Sequence, residues 1–226
     1  MIFPPRDKRR PCWYGPIVNP AERPVVEVRD LLPHVLAPFI DVLARGMRDN
    51  PMHVAALGTD PEQRRRLLHR LFTGFFRAMP TQTPLVAVHG LAIVGGTGVA
   101  PPGSCQPGGA QRLRLLPTML AVGPRRLVRI NSWMSTWAKR DLEEPHVHLG
   151  PLAVDAPLQG RGIGTQILRE HTRRLDASGV VGYLETDKEE NVRLYERHGY
   201  EVIGEQSVLG VPNWFMRREP MEPDAA

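Results

Sequence analysis

The sequence predicts an α/β protein: a central mixed, mostly antiparallel twisted sheet flanked by helices. Two observations carry this. Strand-like runs cluster at 85–94 and again from 146 to 217, where strand, helix, strand, helix and strand alternate. Before and between them lie stretches whose apolar residues recur three and four apart, the period of a helix. With 226 residues, 42% of them hydrophobic, the chain suits one domain with an ordinary core. Residues 25–218 form that domain. Residues 1–24 read as an extended proline- and arginine-rich arm, and 219–226 as a tail.

The elements follow in order. Val25 to Val28 is a short β-prone run. Leu31 to Met47 is apolar and broken by Pro33 and Pro38, which predicts a kinked or two-piece helix. Asp60-Pro61-Glu62 is a helix start, because aspartate caps and proline fits the first helical position. Leu67, Leu68, Leu71, Phe72, Phe75 and Phe76 share one face of that helix, and Pro80 stops it. Leu85–Val88 and Leu91–Val94, separated by His89 and Gly90, predict a hairpin. Residues 100–109 read as a loop. Ala110–Val122 and Arg125–Leu142 read as helices, the second with a stripe of Leu127, Ile130, Met134 and Trp137. Core packing is the default reading of that stripe, with Trp133 and Trp137 as a substrate wall the alternative. Then come strand His146–Val154, helix Gly162–Ala177, strand Val180–Glu185, helix Glu189–His198, and strands Tyr200–Val208 and Trp214–Arg217.

Composition narrows the classes. The net charge of +5 is mostly arginine, scattered along the chain. No helix-turn-helix, zinc or RNA-recognition signature accompanies it, so nucleic acid is not an expected partner. No apolar run reaches the roughly 18 residues of a membrane helix, and no secretory h-region opens the chain. A cytoplasmic location and no membrane partner are expected. Cys12 and Cys105 have no partner at metal-ligand spacing in the linear sequence. Both are expected to be free thiols, and no metal is expected.

The most informative segment runs from His148 through Gln159-Gly160-Arg161-Gly162-Ile163-Gly164-Thr165. A strand ends, a proline-containing turn follows, and glycines open a helix. First-turn amides are unpaired and carry a partial positive charge. Glycines let a phosphate reach them, and Arg161 adds a cation, so a diphosphate is the natural ligand. A Walker A loop needs Gly-Lys-Ser/Thr, which is absent. A dinucleotide fingerprint needs a third glycine where Ile167 stands, and more chain than follows.

The segment resembles the GNAT acetyltransferase superfamily. Gln159-Gly160-Arg161-Gly162-Ile163-Gly164 matches that family's Gln/Arg-x-x-Gly-x-Gly/Ala loop, and Glu185 to Tyr200, with Asn191 and Tyr195, resembles its second conserved block. The resemblance implies acetyl-CoA as co-substrate, bound by Leu152, Ala153, Val154, Gln159, Gly160, Arg161, Gly162, Ile163, Gly164, Thr165, Asn191 and Tyr195. It implies direct attack of an amine on the thioester, polarised by a backbone N–H near Val154, in a GNAT-like sheet. It admits a homodimer.

Asn191 and Tyr195 share one helix face, which suits Asn191 to the pantetheine arm and Tyr195 to the sulfur as general acid. His146 and His148 project to the same side of their strand. Histidine titrates near neutrality, so His148 and then His146 are candidate bases, with Glu143, Glu144 or solvent open alternatives. The expected function is N-acetylation of a small-molecule or exposed protein amine. The rivals are an inactive CoA-binding module and a basic nucleic-acid binder.

Overall fold

The computed structural model describes residues 24–221. Most of the proposed arm, with Cys12, and most of the proposed tail lie outside the described residues.

The described chain builds one seven-stranded sheet in the order β1-β2-β3-β4-β5-β7-β6. The strands are β1 (Glu27–Asp30), β2 (Leu85–His89), β3 (Ala92–Ala100), β4 (His146–Val154), β5 (Val181–Thr186), β6 (Glu201–Val208) and β7 (Val211–Arg218). Every neighbouring pair is antiparallel except β4 and β5. That parallel pair is joined by α6 (Ile163–Ser178), because parallel neighbours need a crossover. The other helices are α1 (Leu36–Gly46), α2 (Pro51–Leu57), α3 (Pro61–Ala78), α4 (Gly109–Leu120), α5 (Pro124–Ala138) and α7 (Glu189–Glu196).

Local chemistry explains most boundaries. Asp60 caps α3, its Oδ1 accepting from the Gln63 amide at 2.8 Å, with Pro61 in the first turn. The proline-broken stretch splits into a 3₁₀ turn at Pro33–Val35 and then α1. Four expectations shift. The first strand lies two residues further on, α2 has no counterpart among the expected elements, β3 runs on to Ala100 through three glycines, and the helix expected to reach Leu142 stops at Ala138.

Helices cover both faces of the sheet. On one side Ile163 and Ile167 of α6 pack with Val26, Ala87 and Val94. Further along that side Leu168 and Leu175 of α6 meet Leu149, Leu184, Tyr195 and Tyr200. On the other side Phe39, Ile40 and Leu43 of α1 meet Val86, Val88 and Ala153. Beside them α2, α3 and α5 form a second core around Met52, Leu57, Leu68, Ile130 and Trp133. Trp133 is buried there and Met134 is exposed, so the inward stripe of α5 uses the first rather than the second. Packing is thus the role of Trp133, and Trp137 donates its indole N–H to Asn213 Oδ1 at 3.0 Å.

Candidate active site

The proposed phosphate turn follows β4 directly. A 3₁₀ turn at Ala156–Leu158 leads into Gln159, and Gly160 and Gly162 both take left-handed backbone angles, φ 77° and 79°. Gly162 is the N-cap of α6. The bond that crosses onto this cap runs from the Gln166 amide to the Gly162 carbonyl at 3.2 Å, so the amides of Ile163, Gly164 and Thr165 head the helix. Gln159 has a scaffolding task. Its side-chain amide donates to the carbonyls of Gly46 (2.9 Å) and Val154 (3.1 Å), tying the turn to α1 and to β4. Asp155 reinforces this with a two-pronged ion pair to Arg45, at 2.8 and 2.9 Å.

A wedge opens beside that turn. β4 and β5 are paired only from His146↔Val181 to His148↔Tyr183. Beyond that point β4 runs on to Val154, paired with β3, while β5 runs on to Thr186, paired with β7. A bulge accompanies the parting: Thr97 faces Leu152 and Val99 faces Leu149, so β4 carries one residue more than β3. Leu152, Ala153 and Val154 therefore line one lip of an opening whose far end is the start of α6.

α7 lies past the end of β5. Asn191 donates to Thr186 Oγ1 at 3.4 Å. Tyr195, one turn on, stacks its ring edge-on against Tyr200 with centroids 6.0 Å apart. Burial, with the Asp187 carboxylate nearby, pushes its phenol well above the ordinary value, so it keeps its proton at neutral pH.

The two histidines of β4 belong to a cluster on the opposite side. His146 Nε2 lies 3.3 Å from Cys105 Sγ and 2.9 Å from Asp141 Oδ1. His146 Nδ1 lies 2.8 Å from the Glu144 carbonyl. A carbonyl only accepts, so Nδ1 carries the proton in the neutral ring. His148 Nε2 meets Glu185 Oε2 at 2.7 Å, and its Nδ1 is buried without a hydrogen-bond partner among the described residues. Tyr183 stacks edge-on against both rings and donates its hydroxyl proton to the Arg140 carbonyl. Burial works against charge on both imidazoles. Asp141 and Cys105 outweigh it at His146, and the Glu185 charge and Cys105 outweigh it at His148, so both pKa values rise. For Cys105 and Asp141 burial pulls upward, but the histidines prevail and both pKa values fall.

Both candidate bases are thus members of this cluster. His146 has both ring nitrogens facing partners, and the one unpartnered nitrogen, His148 Nδ1, is buried inside the cluster. Glu144 is taken up by Arg217 at 2.7 Å.

The model of the acetyltransferase (GNAT) family matches residues 56–200, more than half of the chain. The chain belongs to the GNAT family. Among solved structures, a histone acetyltransferase HPA2 and related acetyltransferase from Corynebacterium glutamicum aligns over 88% of this GNAT chain and 99% of its own, with 18% identity and a TM-score of 0.67. A polyamine N-acetyltransferase from Drosophila melanogaster, which forms N-acetylagmatine, covers 86% of this chain and 100% of its own at 16% identity and TM-score 0.58. A GNAT acetyltransferase from Brucella melitensis, determined with acetyl-CoA, covers 89% and 92% at 17% identity and TM-score 0.50. At these identities the likeness speaks for the fold alone.

In the GNAT chain the glycine turn and the lip of β4 adjoin the wedge, while Asn191 and Tyr195 sit on α7, past the end of β5. His146 and His148 gather on the other side with Cys105, Asp141 and Glu185. Spacing could not bring in Cys105, which lies 41 residues before His146, or Asp141, which follows a helix of its own. Arg45 and Asp155, 110 positions apart, left no mark in the sequence either. Arg64, which the sequence shows only as charge, is buried and donates to the carbonyl of Gly58 and to Asp49 Oδ1, each at 2.7 Å. No helix among the described residues is long and apolar enough to cross a membrane.

Proposed function

We propose that the protein transfers the acetyl group of acetyl-CoA to an amine by direct attack. The observation that carries this is the wedge between β4 and β5 beside the bare first turn of α6. A diphosphate would rest on the amides of Ile163, Gly164 and Thr165, with Arg161 beside it, and the pantetheine would follow Leu152 to Val154. A backbone N–H near Val154 would polarise the thioester carbonyl. Tyr195 would protonate the departing thiolate: the C–S bond breaks, the C–N bond forms, and the phenol proton passes to sulfur. The amine proton would leave to solvent, from which the Tyr195 phenolate would regain its own. A small cationic amine is the favoured acceptor, as for the fly polyamine acetyltransferase of the same fold.

The test is CoA release from acetyl-CoA across polyamines, agmatine, amino acids and peptide N-termini. Release with at least one class is expected. Tyr195→Phe should lower kcat by about 10²–10⁴-fold, the usual worth of a positioned acid, with acetyl-CoA affinity kept. Tight acetyl-CoA binding with no release from any amine would reduce the protein to a binding module.

A further inference from the structure

We propose that Cys105, Asp141, His146 and His148 bind a divalent cation of the zinc class, which staples both ends of the α4–α5 segment to β4. Cys105 precedes α4, Asp141 follows α5, and the two histidines open β4. One ligand atom from each of the four lies within 4.8 Å of all the others. The inference does not rest on the transferase reading.

Hydrogen bonding alone leaves the cluster unsatisfied. Asp141 Oδ1 and His148 Nδ1 are sealed from solvent without a hydrogen-bond partner among the described residues. Asp141 Oδ1 is close to His146 Nε2 but is not aligned to receive a hydrogen from it. An unpaired buried polar atom costs about 1–3 kcal/mol, and here two share one spot. His146 Nε2 faces both Cys105 Sγ at 3.3 Å and Asp141 Oδ1 at 2.9 Å, and one hydrogen between them serves only one of the two contacts. A cation between them satisfies all of these atoms together.

The surroundings match a metal centre. A ligating histidine commonly donates its other N–H to a carboxylate or a backbone carbonyl. His148 has Glu185 in that place and His146 has the Glu144 carbonyl. Gln106 donates to the second oxygen of Asp141 at 3.2 Å. A thiolate, two imidazoles and one carboxylate suit zinc, whereas magnesium and calcium require oxygen donors. Four protein ligands leave no open position, which marks a structural rather than a catalytic site.

The experiment uses the full, untagged chain. Elemental analysis should find about one zinc per chain. Replacing it with cobalt(II) should give the visible bands of a tetrahedral site with a thiolate charge-transfer band, and Cys105→Ser should abolish that band. Zinc should also shield Cys105 from maleimide by at least about tenfold, since a coordinated thiolate is a poor nucleophile. Protein that retains no metal after zinc exposure, gives no cobalt bands and labels at Cys105 equally fast with and without zinc would overturn the site. It would leave a buried ion-pair cluster in its place. The cobalt spectrum and labelling rate are read on the unmodified chain, so a variant that fails to fold does not blunt the test.

Discussion

Tyr195 and His171 show how burial sets a proton at a single residue. Both are buried, and Tyr200 touches each of them. For the phenol, burial keeps the proton on, which suits an acid. For the imidazole, burial keeps it off: desolvation, aided by Arg218 and Arg174, pushes the pKa of His171 down to about 4. The unfolded chain has a histidine near 6.5. Between those values the unfolded state binds a proton that the folded state refuses, so stability falls as pH drops from about 6.5 towards 4. From pH 7 to pH 5 the loss assigned to His171 is roughly 2 kcal/mol. Urea unfolding at the two pH values should show it, and His171→Gln should flatten the dependence by that amount. An unchanged slope in the variant would mean that His171 does not carry the effect.

At the scale of elements, the glycine turn is where sequence and structure agree most closely. Left-handed backbone at Gly162 is what lets the chain leave the turn and enter α6 with its first amides exposed. Valine is a poor occupant of that region. Gly162→Val should displace the start of α6 and weaken acetyl-CoA binding at least about tenfold, roughly 1.4 kcal/mol, by calorimetry. Unaltered affinity would place the diphosphate elsewhere. The cap at Asp60 was legible for the same reason, since it depends on neighbours in the chain. The full length of β3 was not. Gly95, Gly96 and Gly98 argue against a strand on propensity, yet the strand holds because ladders on both sides and helices on both faces need a slim centre. A Cβ on Gly95 would stand 3.2 Å from side-chain atoms of Ile163 and Ile167, and one on Gly96 would stand 2.7 Å from Phe39.

For the whole molecule, the question is what fixes the α1–α5 side against the sheet. Arg45 and Asp155 answer part of it, joining the end of α1 to the residue that follows β4. Asp155→Asn keeps the shape and removes the charge. It should lower stability by roughly 1.5–3 kcal/mol, the worth of hydrogen bonds to a charged group. A denaturant midpoint equal to that of the unaltered chain would show that the pair is replaceable by solvent.

What the sequence determined by itself is what neighbours in the chain can enforce: α3 and its cap, the order of elements from β4 onward, and a helix that begins on glycines. Those rest on backbone geometry and periodicity, which act over a few residues. Only the tertiary structure decided where β4 and β5 part, because their parting depends on β3 and β7 claiming opposite strands. Only it decided the fate of His146 and His148. As letters they resemble free bases two positions apart. Folding brings Cys105 and Asp141 to the first and Glu185 to the second, and once water is excluded those partners govern where the protons of both rings sit.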